Sequence, residues 1–367
     1  MTQLAPTVAA SPHAITYPWG DALPATGTHL NLRRGLHWVR MPMPFALNHI
    51  NLWVLDDHDT DGQATVDSWT VVDAGVATPA IREAWETLWA GPLAGRPLTR
   101  MLVTHMHPDH LGNAQWLIDR FSAPRQPARL WMSATDHAAA QLASQSTTGF
   151  GGERAAAFFM SHGLRQPDDV AKIRARSGYF VSLVPEMPRA YRRLMDGMSV
   201  RIGDRDWRCM AGHGHSPEHI ALFNERDGLL IAGDMLLPKI STNVSVMDHE
   251  PEADALGLFL ASLDRMRALP DDTLALPSHG LPFTGIHTRI QQLHDHHAER
   301  LDEVLAACAL KPSSAADMLP VLFKRQLDLH QTTFAMGESV AHLNHLWHQG
   351  ALTRAMDADG VWRFSRG

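Results

Sequence analysis

The chain has 367 residues and a formal net charge of −7, from 32 Lys and Arg against 39 Asp and Glu. Hydrophobic residues make up 45% and charged residues 19%, enough apolar surface to close a core, so wholesale disorder is excluded. A mildly acidic surface exerts no long-range pull on phosphate backbones, and the two cysteines, Cys209 and Cys308, can build neither a disulfide framework nor a thiolate-rich metal site.

Residues 1–30 are rich in Ala, Pro and Thr without periodicity and read as an N-terminal arm. They have no basic start followed by an apolar run of signal-peptide length. No segment approaches the ~20 uninterrupted apolar residues of a membrane span, so a cytoplasmic protein without membrane contact is expected. Leu36–Met41 and Ile50–Leu55 have strand character, residues 56–63 form a polar turn, and Trp69–Asp73 is a third strand stopped at Gly75. Thr78–Ala90 is a helix, with Ile81, Ala84 and Leu88 at helical spacing behind a threonine start. Met101–Val103 is a buried strand that delivers a histidine-rich loop. A helix over 113–121, a strand over 129–132 and a helix over 135–143 follow.

Residues 144–197 carry Gly149, Gly151 and Gly152 and helical pieces at 154–160 and 168–176. The segment is longer than a connection requires. It reads as a helical insertion, either a lid over the site or a surface for homodimer contacts. Strands are expected at 198–210, 220–224, 229–232 and 273–276, with helices at 254–269 and 287–310. In the remainder, helices at 314–322 and 337–348 precede a hairpin, 352–356 and 361–364, turned by Asp357–Gly360. Two halves in which strands alternate with helices suit an α+β fold, an αββα sandwich with a small C-terminal winged-helix-like domain. The domains are drawn at 1–30, 31–290 and 291–367.

Histidine, at 23 residues, is the unusual count. Residues 105–110 read His-Met-His-Pro-Asp-His directly after the apolar strand. A loop there can aim His105, His107, Asp109 and His110 at one spot. Imidazole and carboxylate without thiolate suit Zn²⁺, Mn²⁺ or Fe. The plain alternative is a polar loop in a histidine-rich chain. His213-Gly214-His215 is a second possible ligand pair. His294, His296 and His297 fall in a polar helix beside Asp295 and Glu299, where a solvated face is the simpler account. Cys209 is expected to be a small buried residue.

These motifs resemble the metallo-β-lactamase superfamily, and the resemblance covers most of residues 31–285. His215-Ser216-Pro217-Glu218-His219 is similar to the family's second motif, Gly233-Asp234 to the third, and Ser278-His279-Gly280 to the last. The resemblance implies two divalent metal ions, Zn first with Mn or Fe as alternatives. One would be held by His105, His107 and His215. The other would be held by Asp109, His110 and His279, with Asp234 bridging. It favours His215 over His213, leaves His219 to orient a neighbour, and matches Asp73 to an aspartate that supports the site, against the simpler role of a strand-ending turn residue.

The implied chemistry is hydrolysis by a dinuclear site with a bridging hydroxide, with Asp109 orienting the water or passing a proton. No G-x-S-x-G, P-loop or Rossmann fingerprint competes. The tail around Gly337–Leu346 is similar to that of a branch containing endoribonucleases and thioesterases. A small-molecule ester, a thioester first, is the expected substrate, and nucleic acid is not favoured. A lactone hydrolase and a single-strand endoribonuclease are the alternatives. The latter predicts a basic groove near the site, for which Arg189, Arg192, Arg193 and Lys239 are the candidates. A non-catalytic protein whose winged helix contacts DNA would leave the ligand set idle.

Overall fold

The computed structural model describes residues 14–59, 66–124, 126–145 and 151–367. The start of the expected arm, the tip of the turn after Asp59 and Gly149 of the expected insertion lie outside the described residues.

Strands β1 (His29–Arg33), β2 (Leu36–Pro42), β3 (His49–Asp59) and β4 (Val66–Val72) form an antiparallel meander. Helix α1 (Pro79–Ala90) starts where expected, with the Thr78 hydroxyl accepting from the Ile81 N–H. Strands β5 (Leu98–Leu102), β6 (Arg129–Ser133) and β7 (Tyr191–Leu194) continue the sheet in parallel, giving seven strands in chain order. Between them run α2 (Pro108–Leu111), α3 (Ala114–Phe121), α4 (Ala134–Gln145), α5 (Gly152–Ser161), α6 (Pro167–Ala175) and α7 (Tyr179–Leu183).

A second sheet is built from β8 (Ser199–Ile202), β9 (Arg205–Gly212), β10 (His219–Asn224), β11 (Leu229–Gly233) and β12 (Leu274–Pro277), with α8 (Ala255–Met266) joining the last two in a parallel crossover. The long α9 (Ile286–Leu310) leads to α10 (Ala315–Leu322), α11 (Leu329–His348) and the hairpin β13 (Leu352–Met356) and β14 (Trp362–Arg366). The C-terminal part is thus two helices and a short sheet.

Strand β3 illustrates the layering. Its side chains alternate between faces, as a pleated strand requires. Ile50, Leu52 and Val54 face the outer helices, packing with Ile81, Trp85 and Leu88 of α1. Trp53 and Leu55 face the second sheet, packing with Trp207, Ile220 and Ile231. A third apolar layer joins the far face of the second sheet to α8, α9 and α11. The order helix, sheet, sheet, helix is the expected αββα sandwich. At its centre Trp38 and Trp53 stack with centroids 6.3 Å apart. Each such ring contributes roughly 4–6 kcal/mol by burial. The indole N–H groups of Trp38, Trp53 and Trp207 have no partner, which offsets about 1–3 kcal/mol each.

Several expectations are corrected. The segment 198–210 is two antiparallel strands, because Gly203 turns the chain at φ 56, and a Cβ there would meet the Asp56 carbonyl at 2.5 Å. The insertion 144–197 is not wholly helical, since Tyr191–Leu194 joins the sheet as edge strand β7. Its Tyr-Arg-Arg-Leu sequence lacks clean alternation. Helix α11 begins at Leu329, eight residues before the expected Gly337, behind an Asp328/Gln331 capping box. His297 belongs to no solvated face. It is buried against Phe259 and His342, while His294 pairs with Asp264 at 3.0 Å. Among the described residues no helix is long and apolar enough to cross a membrane.

Candidate metal centre

Strand β5 ends at Leu102, and the chain turns through His105 and His107 into α2. Pro108 occupies the first turn of α2, where a fixed φ and a missing N–H cost nothing. That turn presents Asp109 and His110 side by side. His215 comes from the loop after β9, Asp234 from the residue after β11, and His279 from the second residue after β12. All seven therefore gather at one edge of the sandwich. Gly233 is required there. It has φ 55, and a Cβ would meet His219 Nε2 at 2.1 Å.

Three ring nitrogens converge. His105 Nε2 lies 2.9 Å from His107 Nδ1 and 3.1 Å from His215 Nε2, and His107 Nδ1 lies 3.1 Å from His215 Nε2. His215 Nδ1–H donates to the Asn243 carbonyl at 2.7 Å, which leaves a lone pair on the converging Nε2. Burial, with the neighbouring imidazoles, holds His105 well below the usual histidine range and His107 down to about 3. His105 and His107 are thus neutral, the form that binds a metal.

A second set faces them. His279 Nε2 is 3.4 Å from Asp109 Oδ2 and 3.4 Å from Asp234 Oδ1; His110 Nε2 is 3.5 and 3.6 Å from the same carboxylates. These separations exceed hydrogen-bond length but match ligands about 2.0–2.2 Å from one cation at tetrahedral angles, roughly 3.3–3.6 Å apart. Among the described residues His110 Nε2 and Asp234 Oδ1 are buried without a hydrogen-bond partner, so the donor set fits a metal. The other Asp234 oxygen lies 3.4 Å from His215 Nε2, which places this carboxylate between the two groups.

Burial disfavours every charge here, but opposite charges outweigh it. Asp234 and Asp109 push His279 up to about 10, and Asp109, Asp73 and Asp234 push His110 well above its ordinary value. His110 and His279 in turn hold Asp109 down to about 2 and Asp234 well below the carboxylate range. A metal held by His110 and His279 would displace both imidazolium protons. Titrating metal into metal-free protein at pH 7 should release about two protons, read by calorimetry in buffers of different ionisation enthalpy. Release of none would contradict the assignment of His110 and His279.

Supporting residues fix the ring orientations. Asp73, in the left-handed region at φ 63, accepts from the Thr104 N–H at 2.8 Å, the Thr104 hydroxyl at 2.9 Å and His110 Nδ1–H at 2.8 Å. His279 Nδ1–H donates to the His49 carbonyl at 2.8 Å, and His49 Nε2 accepts from the Gly280 N–H. Asp136, at the start of α4, accepts from the Met106 N–H at 2.8 Å and the Glu218 N–H at 2.5 Å, tying together the loops that carry His105 and His215. Sequence reasoning does not find Asp136, His49 or Asn243. Asp136 and His49 lie outside the histidine motifs, and Asn243 acts through its backbone.

His213 stays out of both groups, its Nδ1–H donating to the Pro217 carbonyl at 2.8 Å. His219 is buried and accepts from the Asp234 N–H at 3.2 Å. Cys209 is buried in β9. Arg189 and Arg192 line a separate cleft at the far end of the parallel strands, and Lys239 lies 5.9 Å from the Tyr17 ring.

The centre opens into a cavity of about 370 Å³, reached by His107, Asp109, His215, Asp234 and His279. Its remaining wall is largely apolar: Phe45 and Leu47 from the loop before β3, Leu183 from α7, Phe323 just after α10, and Phe334 from within α11. Tyr179, His330, Arg325 and Glu338 are its other polar side chains of note. The C-terminal helix α11 thus closes one side of the site.

Residues 63–279 match the metallo-beta-lactamase superfamily, and residues 301–367 match the metallo-beta-lactamase-like C-terminal domain. The chain is 26% identical over 336 residues to a probable metallo-hydrolase, YqjP, of Bacillus subtilis, covering 88% of this chain and 96% of that one. A beta-lactamase domain protein from Burkholderia ambifaria has the same architecture, with a TM-score of 0.90 and 49% identity over 97% of this chain and 99% of its own. A metallo-beta-lactamase family protein from Thermus thermophilus is similar at 28% identity and a TM-score of 0.73, covering 92% of this chain and 100% of its own. The fold and the family matches agree, and the chain belongs to the metallo-beta-lactamase superfamily as a metallo-hydrolase.

Proposed function

We propose that this chain hydrolyses an ester-type bond of a small, largely apolar substrate, with a thioester as the first choice, at a dinuclear centre. One ion is assigned to His105, His107 and His215, the other to Asp109, His110 and His279, with Asp234 shared. Zn²⁺ is favoured, with Mn²⁺ or Fe as alternatives, because the set is imidazole and carboxylate without thiolate. Two such ions supply an activated water and a Lewis acid for the carbonyl oxygen.

The chain's own residues do the rest. Asp73, the His49 carbonyl and the Asn243 carbonyl hold His110, His279 and His215 in single orientations, so no reorganisation accompanies the reaction. Asp109 is ionised and borders the cavity, where its carboxylate can orient the attacking water and take its proton. The apolar wall excludes bulk water and receives the acyl chain.

The observation that carries the substrate choice is this wall. An RNA phosphodiester demands cations along its path. The cavity offers Phe45, Leu47, Leu183, Phe323 and Phe334, with Arg325 as its one arginine. The DNA-binding alternative is disfavoured by α11, which is buried along most of residues 332–346 against α6, α8 and α9 and presents no free face to a groove.

The test is a side-by-side assay of metal-loaded protein on acyl-thioesters of increasing chain length, lactones and single-stranded RNA. Thioester turnover that rises with acyl length is expected, and it should fall in Phe334→Asp, which puts a charge in the acyl wall. RNA cleavage that depends on His110, without thioester turnover, would overturn this reading.

A further inference from the structure

A second concave site lies away from the metals. A cleft of about 780 Å³ opens where the first sheet's strands β5, β6 and β7 meet β8, the edge of the second sheet. Arg100, Arg129, Arg189, Arg192 and Arg201 line it, and no Asp or Glu does. Five guanidinium groups without an acidic side chain in one wall run against the chain's net charge of −7.

The arginines differ in how far they are already satisfied. Arg100 pairs with the buried Asp57 at 3.2 Å, and Arg201 with Asp206 at 2.8 Å, both from outside the lining. Arg129 and Arg189 form no ion pair among the described residues. Trp131 organises the floor, with the Arg192 guanidinium 4.6 Å and the Arg100 guanidinium 5.5 Å from its ring centroid. Guanidinium forks held in place lose little entropy on binding and match phosphate oxygens in pairs.

From this we infer that the cleft binds a small molecule carrying an oligophosphate group, such as a nucleoside triphosphate or an inorganic oligophosphate. A single phosphate pairs with one guanidinium fork, whereas linked phosphates offer a separate pair of oxygens to each of Arg129 and Arg189, the two lining arginines without an ion pair among the described residues. The volume lies in the range of small-molecule pockets rather than of an extended groove. The position separates it from catalysis. Arg100 lies on β5 and His105 in the loop that follows it, five residues on, a span of at most roughly 16 Å at the rise of an extended chain, and the cleft and the metal centre lie at opposite ends of the parallel strands.

The experiment is calorimetric titration of the zinc-loaded protein, freed of unbound zinc and with its metal content checked after each run, using inorganic tripolyphosphate, ATP, adenosine, citrate and a single-stranded RNA oligomer as separate probes. Tripolyphosphate or ATP should bind one to one, and more weakly as salt rises. The Arg129→Ser/Arg189→Ser double variant should lose at least about tenfold in affinity. These side chains are exposed, so melting temperature and metal content should be unchanged; Arg189→Ala alone gives a smaller loss in the same direction. Better binding of ATP than of tripolyphosphate, with none of adenosine, identifies a nucleotide, and the reverse order an inorganic oligophosphate. The inference is overturned if neither phosphate binds, if the double variant binds as well as the parent, if citrate binds as tightly, or if only the RNA binds.

Discussion

Asp109→Ala should lower the hydrolytic rate by about 10²- to 10⁴-fold, the range lost when a positioned acid–base group is removed. Asp109 Oδ2 lies 3.4 Å from His279 Nε2 and 3.5 Å from His110 Nε2, and the carboxylate also borders the substrate cavity. On the proposed assignment, its removal takes one ligand from the second group and the base from beside the water. The first group, His105, His107 and His215, makes none of its close contacts through Asp109. The variant should therefore retain about one metal per chain by elemental analysis. Asp109→Asn separates the two roles, since it keeps the shape and a ligand oxygen but cannot take a proton. Turnover unchanged in either variant would remove Asp109 from the mechanism. Loss of both metals would make it a structural ligand of the whole centre.

Legibility in the sequence follows the physical range of each signal. The candidate ligand residues are readable because short loops after strands gather many donors in clusters such as His105–His110, the density that the proposed two-metal site needs. Strands such as β3 are readable because a short apolar run, Ile50–Leu55, is a local pattern. The cavity wall is not readable. Phe45, Leu183 and Phe334 come from three distant segments, and each alone is indistinguishable from a core residue. The same holds for the arginine cleft. Arg189 and Arg192 stand out in sequence, but Arg100, Arg129 and Arg201 join them only through strand order. His297 misleads because a helix of 25 residues with mixed polarity hides which face is buried until α11 and α8 are laid against it.

Asp136 is the residue whose loss tests how the two ligand loops are held together. It is fully buried and carries acceptors for the backbone N–H groups of Met106 and Glu218, with the Ser216 hydroxyl at 3.4 Å. Burial pushes its carboxyl up to about 6 against the pull of these donors, so the side chain is ionised at neutral pH and accepts from both loops. Asp136→Ala leaves two backbone donors without a partner, at about 1–3 kcal/mol each, so a stability loss of roughly 2–5 kcal/mol is expected in denaturant unfolding. Met106 stands between His105 and His107, and Glu218 follows the His215 loop, so the loosened loops no longer converge on one point. Metal affinity, read by chelator competition, should drop by about 10- to 100-fold, as when other outer partners of ligands are removed. Asp136→Asn is the finer probe. It keeps one acceptor oxygen but turns an NH₂ toward a backbone donor, so stability should recover in part while metal affinity stays below the parent. A stability loss in the alanine variant with metal affinity unchanged would mean that each loop holds its histidine without the other, and that the tie through Asp136 serves folding alone.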